Sequence, residues 1–206
     1  MTARIIRKKI SSSNVDAKIT THTAVLDAHT KNSLEEYKIG YYPTPFFTGY
    51  NVGALVIPAD YIYAIPVPIV RPVTIDGIAC HCSTLEANVS ARLGIYASSA
   101  MLPTNLVLDA GTVSLATAGQ KMISISQALA KGIYWFCILS NATGTAQLYR
   151  YSTGAPNFCL NTTFGENTYN GYKVAQAYGA LPATFPASPA LNTNTFLVLP
   201  RIASLD

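Results

Sequence analysis

From Tyr41 onward the chain alternates apolar and polar residues with a period of two, and that period restricts it to strands. Residues 88–96 show it best. Val89, Ala91, Leu93 and Ile95 fall on one face, with Ser90, Arg92 and Tyr96 on the other. Similar runs cover 54–57, 61–70, 73–82, 106–109, 113–115, 122–125, 147–151 and 196–201, with turns expected at Gly111 and Gly119. Residues 132–139 are apolar almost throughout, as a central strand covered on both faces requires. Pro58, Pro66 and Pro68 place parts of the early strands at edges or bends. Strand following strand at roughly ten-residue spacing, with no convincing helix between, defines a sandwich or barrel. The expected fold is therefore all-β, an antiparallel β-sandwich of jelly-roll type, with a core that includes Ile75, Leu93, Ile95, Ile125, Trp135 and Ile138. Residues 152–195 interrupt the pattern; a loop that long is unusual in a compact domain, and a hidden strand is expected near 173–178.

Residues 1–40 read as a separate N-terminal arm, extended and partly helical, and 41–206 as the sandwich domain. Val15, Ile19, His22, Leu26, His29 and Ser33 trace a faint heptad whose seam is half polar, and Ser33 with Glu36 fits a capping box. Arg4, Arg7, Lys8 and Lys9, with Ile5, Ile6 and Ile10, form the one basic cluster. These seven residues are the candidate attachment contacts. The cluster is short and lacks interleaved aromatics, so nucleic acid is not the expected partner. It also opens like a signal peptide, but serines follow Ile10 where an apolar stretch is needed, so secretion by that route is not expected. No run approaches the ~18 apolar residues of a membrane helix.

Half the residues are hydrophobic and only 12% are charged, which excludes intrinsic disorder and implies a surface partly covered by neighbours. Cys80-His81-Cys82 invites a zinc reading with Cys137 and Cys159. A regular strand turns His81 away from both cysteines, and the usual two-to-four-residue separation is missing, so buried thiols are expected, with a Cys82–Cys137 disulfide as an alternative. No metal or other cofactor is expected. His22 and His29 lack a partnering carboxylate or nucleophile at a sensible spacing. Glu35, Glu36, Asp76, Glu86, Asp109 and Glu166 offer a glycosidase its two carboxylates only in the sense that any scattered acids would. No nucleophile elbow, phosphate loop or dinucleotide fingerprint is present, so no catalytic residue is expected. The sequons at Asn88, Asn141 and Asn161 are read as chance matches. Tyr149, Tyr151, Tyr169, Tyr172 and Tyr178 gather among Asn, Thr and Gly. Tyrosine with small polar residues suits a contact surface, so these are the candidate receptor or subunit contacts.

Tyr61-Ile-Tyr-Ala-Ile-Pro-Val-Pro-Ile-Val70 leads to Val73-Thr-Ile-Asp-Gly-Ile78 and Ala91-Arg-Leu-Gly-Ile-Tyr96. After these come a Leu102-Pro103 turn, Leu106-Val-Leu-Asp-Ala-Gly-Thr-Val113 and Leu129-Ala-Lys-Gly-Ile-Tyr-Trp135. This order resembles a β-sandwich domain of bacteriophage structural proteins of the tail-fibre-like kind, over about residues 54–140. The resemblance implies a noncatalytic virion component, homotrimeric and without cofactor, acting as tail fibre, receptor-binding protein or head decoration (cement) protein. Its implied partners are other virion proteins of the capsid or tail and, for a receptor-binding role, a host-surface glycan. It brings no catalytic residue. The competing expectation is a carbohydrate-binding module or small glycosidase.

Overall fold

The computed structural model describes residues 37–43, 52–151, 160 and 169–206, without the Tyr151 side chain. Arg4, Ile5, Ile6, Arg7, Lys8, Lys9 and Ile10 lie outside the described residues, as do Cys159 and residues 33–36 of the short helix that the Ser33–Glu36 capping box leads one to expect around 33–38. Its last two residues, Tyr37 and Lys38, are described and are not helical. Contacts divide the chain into two units, Met1–Glu36 and Tyr37–Asp206. The second unit thus begins with Tyr37, inside the stretch read as arm.

Among the described residues the second unit is all-β and forms two antiparallel sheets. In the first, β1 (Val52–Val56), β8 (Gln147–Tyr151), β3 (Val73–Thr84) and β11 (Leu199–Leu205) lie in that order, and β6 (Gly119–Leu129) pairs with the opposite side of β3. The second sheet runs β10 (Ala190–Asn192), β9 (Gly171–Ala175), β2 (Tyr61–Ile69), β7 (Gly132–Ser140), β4 (Ser90–Ser99) and β5 (Leu102–Ser114). The hidden strand of the 152–195 stretch is β9, beginning two residues before its expected position; β10 lies in the same stretch.

Alternation fills the space between the sheets. Ile65 and Val67 of β2, Leu93 and Ile95 of β4, and Phe136 and Ile138 of β7 meet Ile75, Ile78, Cys80 and Cys82 of β3 in one cluster. Strict alternation would not place both Ile75 and Ile78 inside. A bulge at Asp76, where the pairing with both β6 and β11 slips, corrects the parity. The same extra residue points Asp76 at Arg201, which binds it through Nε at 2.7 Å and Nη2 at 2.8 Å.

The outer face of the second sheet carries another core. Ile62, Ala64, Tyr96, Trp135, Cys137 and Leu139 cluster there with Leu160, Leu181 and Phe185. β2 and β7 are therefore covered on both faces, as the apolar run at 132–139 foretold. Of the expected core, Ile75, Leu93, Ile95 and Ile138 lie between the sheets. Trp135 belongs to the outer cluster instead, where its indole N–H donates to Ser98 Oγ at 3.0 Å. Ile125 is only partly buried.

Three local expectations need correction. Gly111 (φ +96°) pairs with Leu93 at a bulge, where the register slips past Ala110 within one long β5, and a turn between two strands was expected there. The Leu102-Pro103 pair begins β5, and the preceding hairpin turns on Ala100 and Met101, at φ 48° and 60°. Such a turn ordinarily takes Asn-Gly; Met101 packs against the outer cluster, which offsets the strain. The last strand starts at Leu199, not at Phe196. The prolines conform to expectation. β9 pairs β2 only through Ala64, so Pro66 and Pro68 sit where β2 has one neighbour, β7.

Candidate functional site

The outer face of the first sheet holds a concavity. β8 and β11 occupy the same side of β3 end to end, β8 at Cys82–Thr84 and β11 at Val73–Ala79. Where they part, Ala79, Cys80 and His81 are flanked by Tyr149 of β8 and by Leu197 and Leu199 leading into β11. With Tyr42 and Gln120 these residues line a cleft of about 220 Å³. Parity explains the direction of each side chain. Cys80, Cys82 and Leu148 point into the core, so His81 and Tyr149 point out. Their rings stack at 4.2 Å with 7° between planes. His81 Nδ1 is buried without a hydrogen-bond partner.

Tyr42 reaches the cleft from the 37–43 segment, which is tied to β11. Gly40 N–H donates to Ile202 O at 2.7 Å, and Ile202 N–H donates to Tyr41 O at 3.1 Å. Gln120 donates to the Tyr42 hydroxyl, which donates to Met122 Sδ at 3.1 Å. Gly77 lies beneath Met122; a Cβ there would meet the sulfur at 2.8 Å. Such a cleft offers stacking and apolar contact with a few hydrogen-bonding groups at its rim.

Acid–base chemistry fares differently. The described residues carry five side-chain carboxylates, Asp60, Asp76, Glu86, Asp109 and Asp206, and each is held by protein groups. Asp60 accepts Tyr178 N–H at 2.8 Å. Asp109 accepts Arg92 Nη1 at 3.0 Å, Gly111 N–H at 3.2 Å and Leu181 N–H at 3.1 Å, tying two bulged strands to the segment roofing the outer cluster. Asp206 accepts the hydroxyls of Thr74 and Ser204. Glu86 clamps the 143–146 loop, accepting Thr143 N–H at 2.8 Å, Thr145 N–H at 2.9 Å, Ala146 N–H at 2.7 Å and the Thr143 hydroxyl. The Thr143 hydroxyl and then the Ala146 amide lead in pulling the Glu86 carboxyl down to about 2. The Arg201 hydrogen bond lowers that of Asp76.

Cys80 and Cys82 face the core with His81 turned away. Cys80, Cys82 and Cys137 are free thiols, so the alternative Cys82–Cys137 disulfide is absent; the two residues belong to different clusters. Burial pushes the Cys80 thiol up to about 12. Among the described residues no three His, Cys, Asp or Glu side chains group to hold a metal.

The five candidate tyrosines do not form one patch. Tyr149 belongs to the cleft on the first sheet. Tyr169, Tyr172 and Tyr178 are partly buried against the outer cluster of the second, where Tyr172 meets Trp135 at 5.3 Å between ring centres. Tyr151 ends β8 opposite Val52, and its side chain lies outside the described residues. The sequence reading missed the roles of Tyr42, His81, Gln120, Leu197 and Leu199. Outward parity for His81 and Tyr149 was legible, but their stacking depends on β3–β8 pairing, which no local pattern specifies. Neither a protein-family model nor a curated protein matches this chain.

Proposed function

We propose that the chain is a noncatalytic structural protein of a phage virion. Its sandwich, of jelly-roll type, projects from the particle and is anchored there by the N-terminal arm, as tail fibre, receptor-binding protein or head decoration. The observation that carries the noncatalytic part is the commitment of all five described carboxylates to loops and strands, where they serve as fasteners. The virion part rests on the motif resemblance, whose segments lie on β2, β3, β4, β5 and β7 and at the β6–β7 turn. The low charge of the chain supports contact with neighbouring subunits.

Antibody labelling of intact purified particles tests this reading. Regular labelling at tail or capsid positions is expected, and absence of the chain from washed particles would overturn it. The cleft favours a second reading, a carbohydrate-binding module, because stacked rings beside a few polar groups suit a sugar ring. Its test is a titration with soluble oligosaccharides; binding that disappears in Tyr149→Ala would establish it.

A further inference from the structure

The molecule protects its strand edges unequally. β10 has three residues and β1 five, too short to template much pairing. β5 is bulged, and part of its outer edge is met by Ala183, Thr184 and Phe185. β11 is met at Ile202 by Gly40 and Tyr41. β6 is the exception. Among the described residues it pairs only with β3, and none of them pairs with the other side of this 11-residue strand. Proteins usually guard such an edge with charge or proline. β6 contains no proline, and its one charged residue is Lys121, near the start, whose ammonium donates to Thr117. Ser124, Ser126 and Ala128 are exposed, small and uncharged. The bulge opposite Asp76 is its one irregularity.

We propose that β6 is a self-association edge: it pairs antiparallel with β6 of a second copy across a two-fold axis, joining two five-stranded sheets into one. The charge pattern favours a second copy over a foreign peptide. Strand-adding peptides obtain specificity from pockets for their side chains, and Ser124, Ser126 and Ala128 build none. A two-fold contact requires a self-complementary surface. With the axis near Ile125, the two Lys121 positions stand roughly 27 Å apart along the strands, well beyond the ~8 Å screening length of physiological salt. The inference goes beyond the virion reading and does not rest on it. The phage resemblance implies three copies, whereas this edge implies two.

Sedimentation of the full chain at micromolar concentration tests it, beside two double variants. Ser124→Lys with Ser126→Lys brings four ammoniums together only in the pair. Thr112→Lys with Ser114→Lys adds the same charge at exposed β5 positions. The expected result is a mass of two copies for the unmodified chain and the β5 variant, and of one copy for the β6 variant with unchanged circular dichroism. A one-copy or three-copy mass for the unmodified chain, a β6 variant still at two copies, or a β5 variant reduced to one would each overturn the proposal. If the β6 variant does not fold, hydrogen exchange on the unmodified chain decides. β6 amide protection should fall on dilution below the association range, and concentration-independent protection would overturn the pairing.

Discussion

Glu86 shows how much a single side chain contributes to this fold. Four hydrogen bonds to its carboxylate organise the loop between β7 and β8, and they require the ionised form. Its folded pKa is depressed from 4.5 to about 2, so the stability it contributes is complete above about 4.5 and is lost as pH falls toward 2. Glu86→Gln is therefore expected to lower the melting temperature at neutral pH, and the gap from the unmodified protein should close across that window. A gap that stays constant with pH would assign the loss to shape and not to charge. Leu93 tests the core in the same direct way. It is fully buried between the sheets, and Leu93→Ala is expected to cost about 2–5 kcal/mol in denaturant unfolding, as large-to-small core changes do. A cost below that range would mean that the surrounding side chains close the cavity.

At the scale of elements, two glycines separate rigid from yielding contacts. A Cβ on Gly171 would stand 2.2 Å from Ala64 O and 2.6 Å from Thr195 Oγ1, so β9 would have to move away from β2. A Cβ on Gly77 would meet Met122 Sδ, the flexible end of a side chain that can turn aside. Gly171→Ala should destabilise by about 1–3 kcal/mol, with loss of hydrogen-exchange protection concentrated in β9 and β10. Gly77→Ala should cost less and leave those strands protected. Equal costs for the two would contradict this distinction. The strands themselves were legible because alternation is local; Leu93 and Ile95 face inward as that period requires. What alternation does not encode is a change of parity. The Asp76 bulge, the Gly111 bulge and the continuation of β2 through two prolines each depend on a neighbour that arrives from far along the chain. Trp135 is buried as expected, but its layer was not legible, for a related reason. An apolar run covered on both faces does not say which face meets the other sheet. The cleft was least legible, since its lining comes from the 37–43 segment, β3, β6, β8 and the approach to β11.

At the scale of the whole molecule, the division at Glu36/Tyr37 marks where the unit that holds the sandwich begins. Tyr37, the first of the described residues, is packed against the inter-sheet core. Its hydroxyl donates to Pro68 O at 2.9 Å and accepts Val70 N–H at 3.0 Å, fastening the end of β2. A chain that begins with Tyr37 is thus expected to unfold cooperatively within a few degrees of the full chain, whereas one that begins with Tyr41 should lose more. Under the proposed function, the Tyr37 truncation should also fail to join particles. That failure would be specific, because the sandwich would be intact by circular dichroism while Arg4, Arg7, Lys8, Lys9 and the intervening isoleucines were gone. Normal particle occupancy by the truncated chain would refute attachment through the arm. A large fall in its melting temperature would instead show that residues 1–36 contribute to the stability of the sandwich.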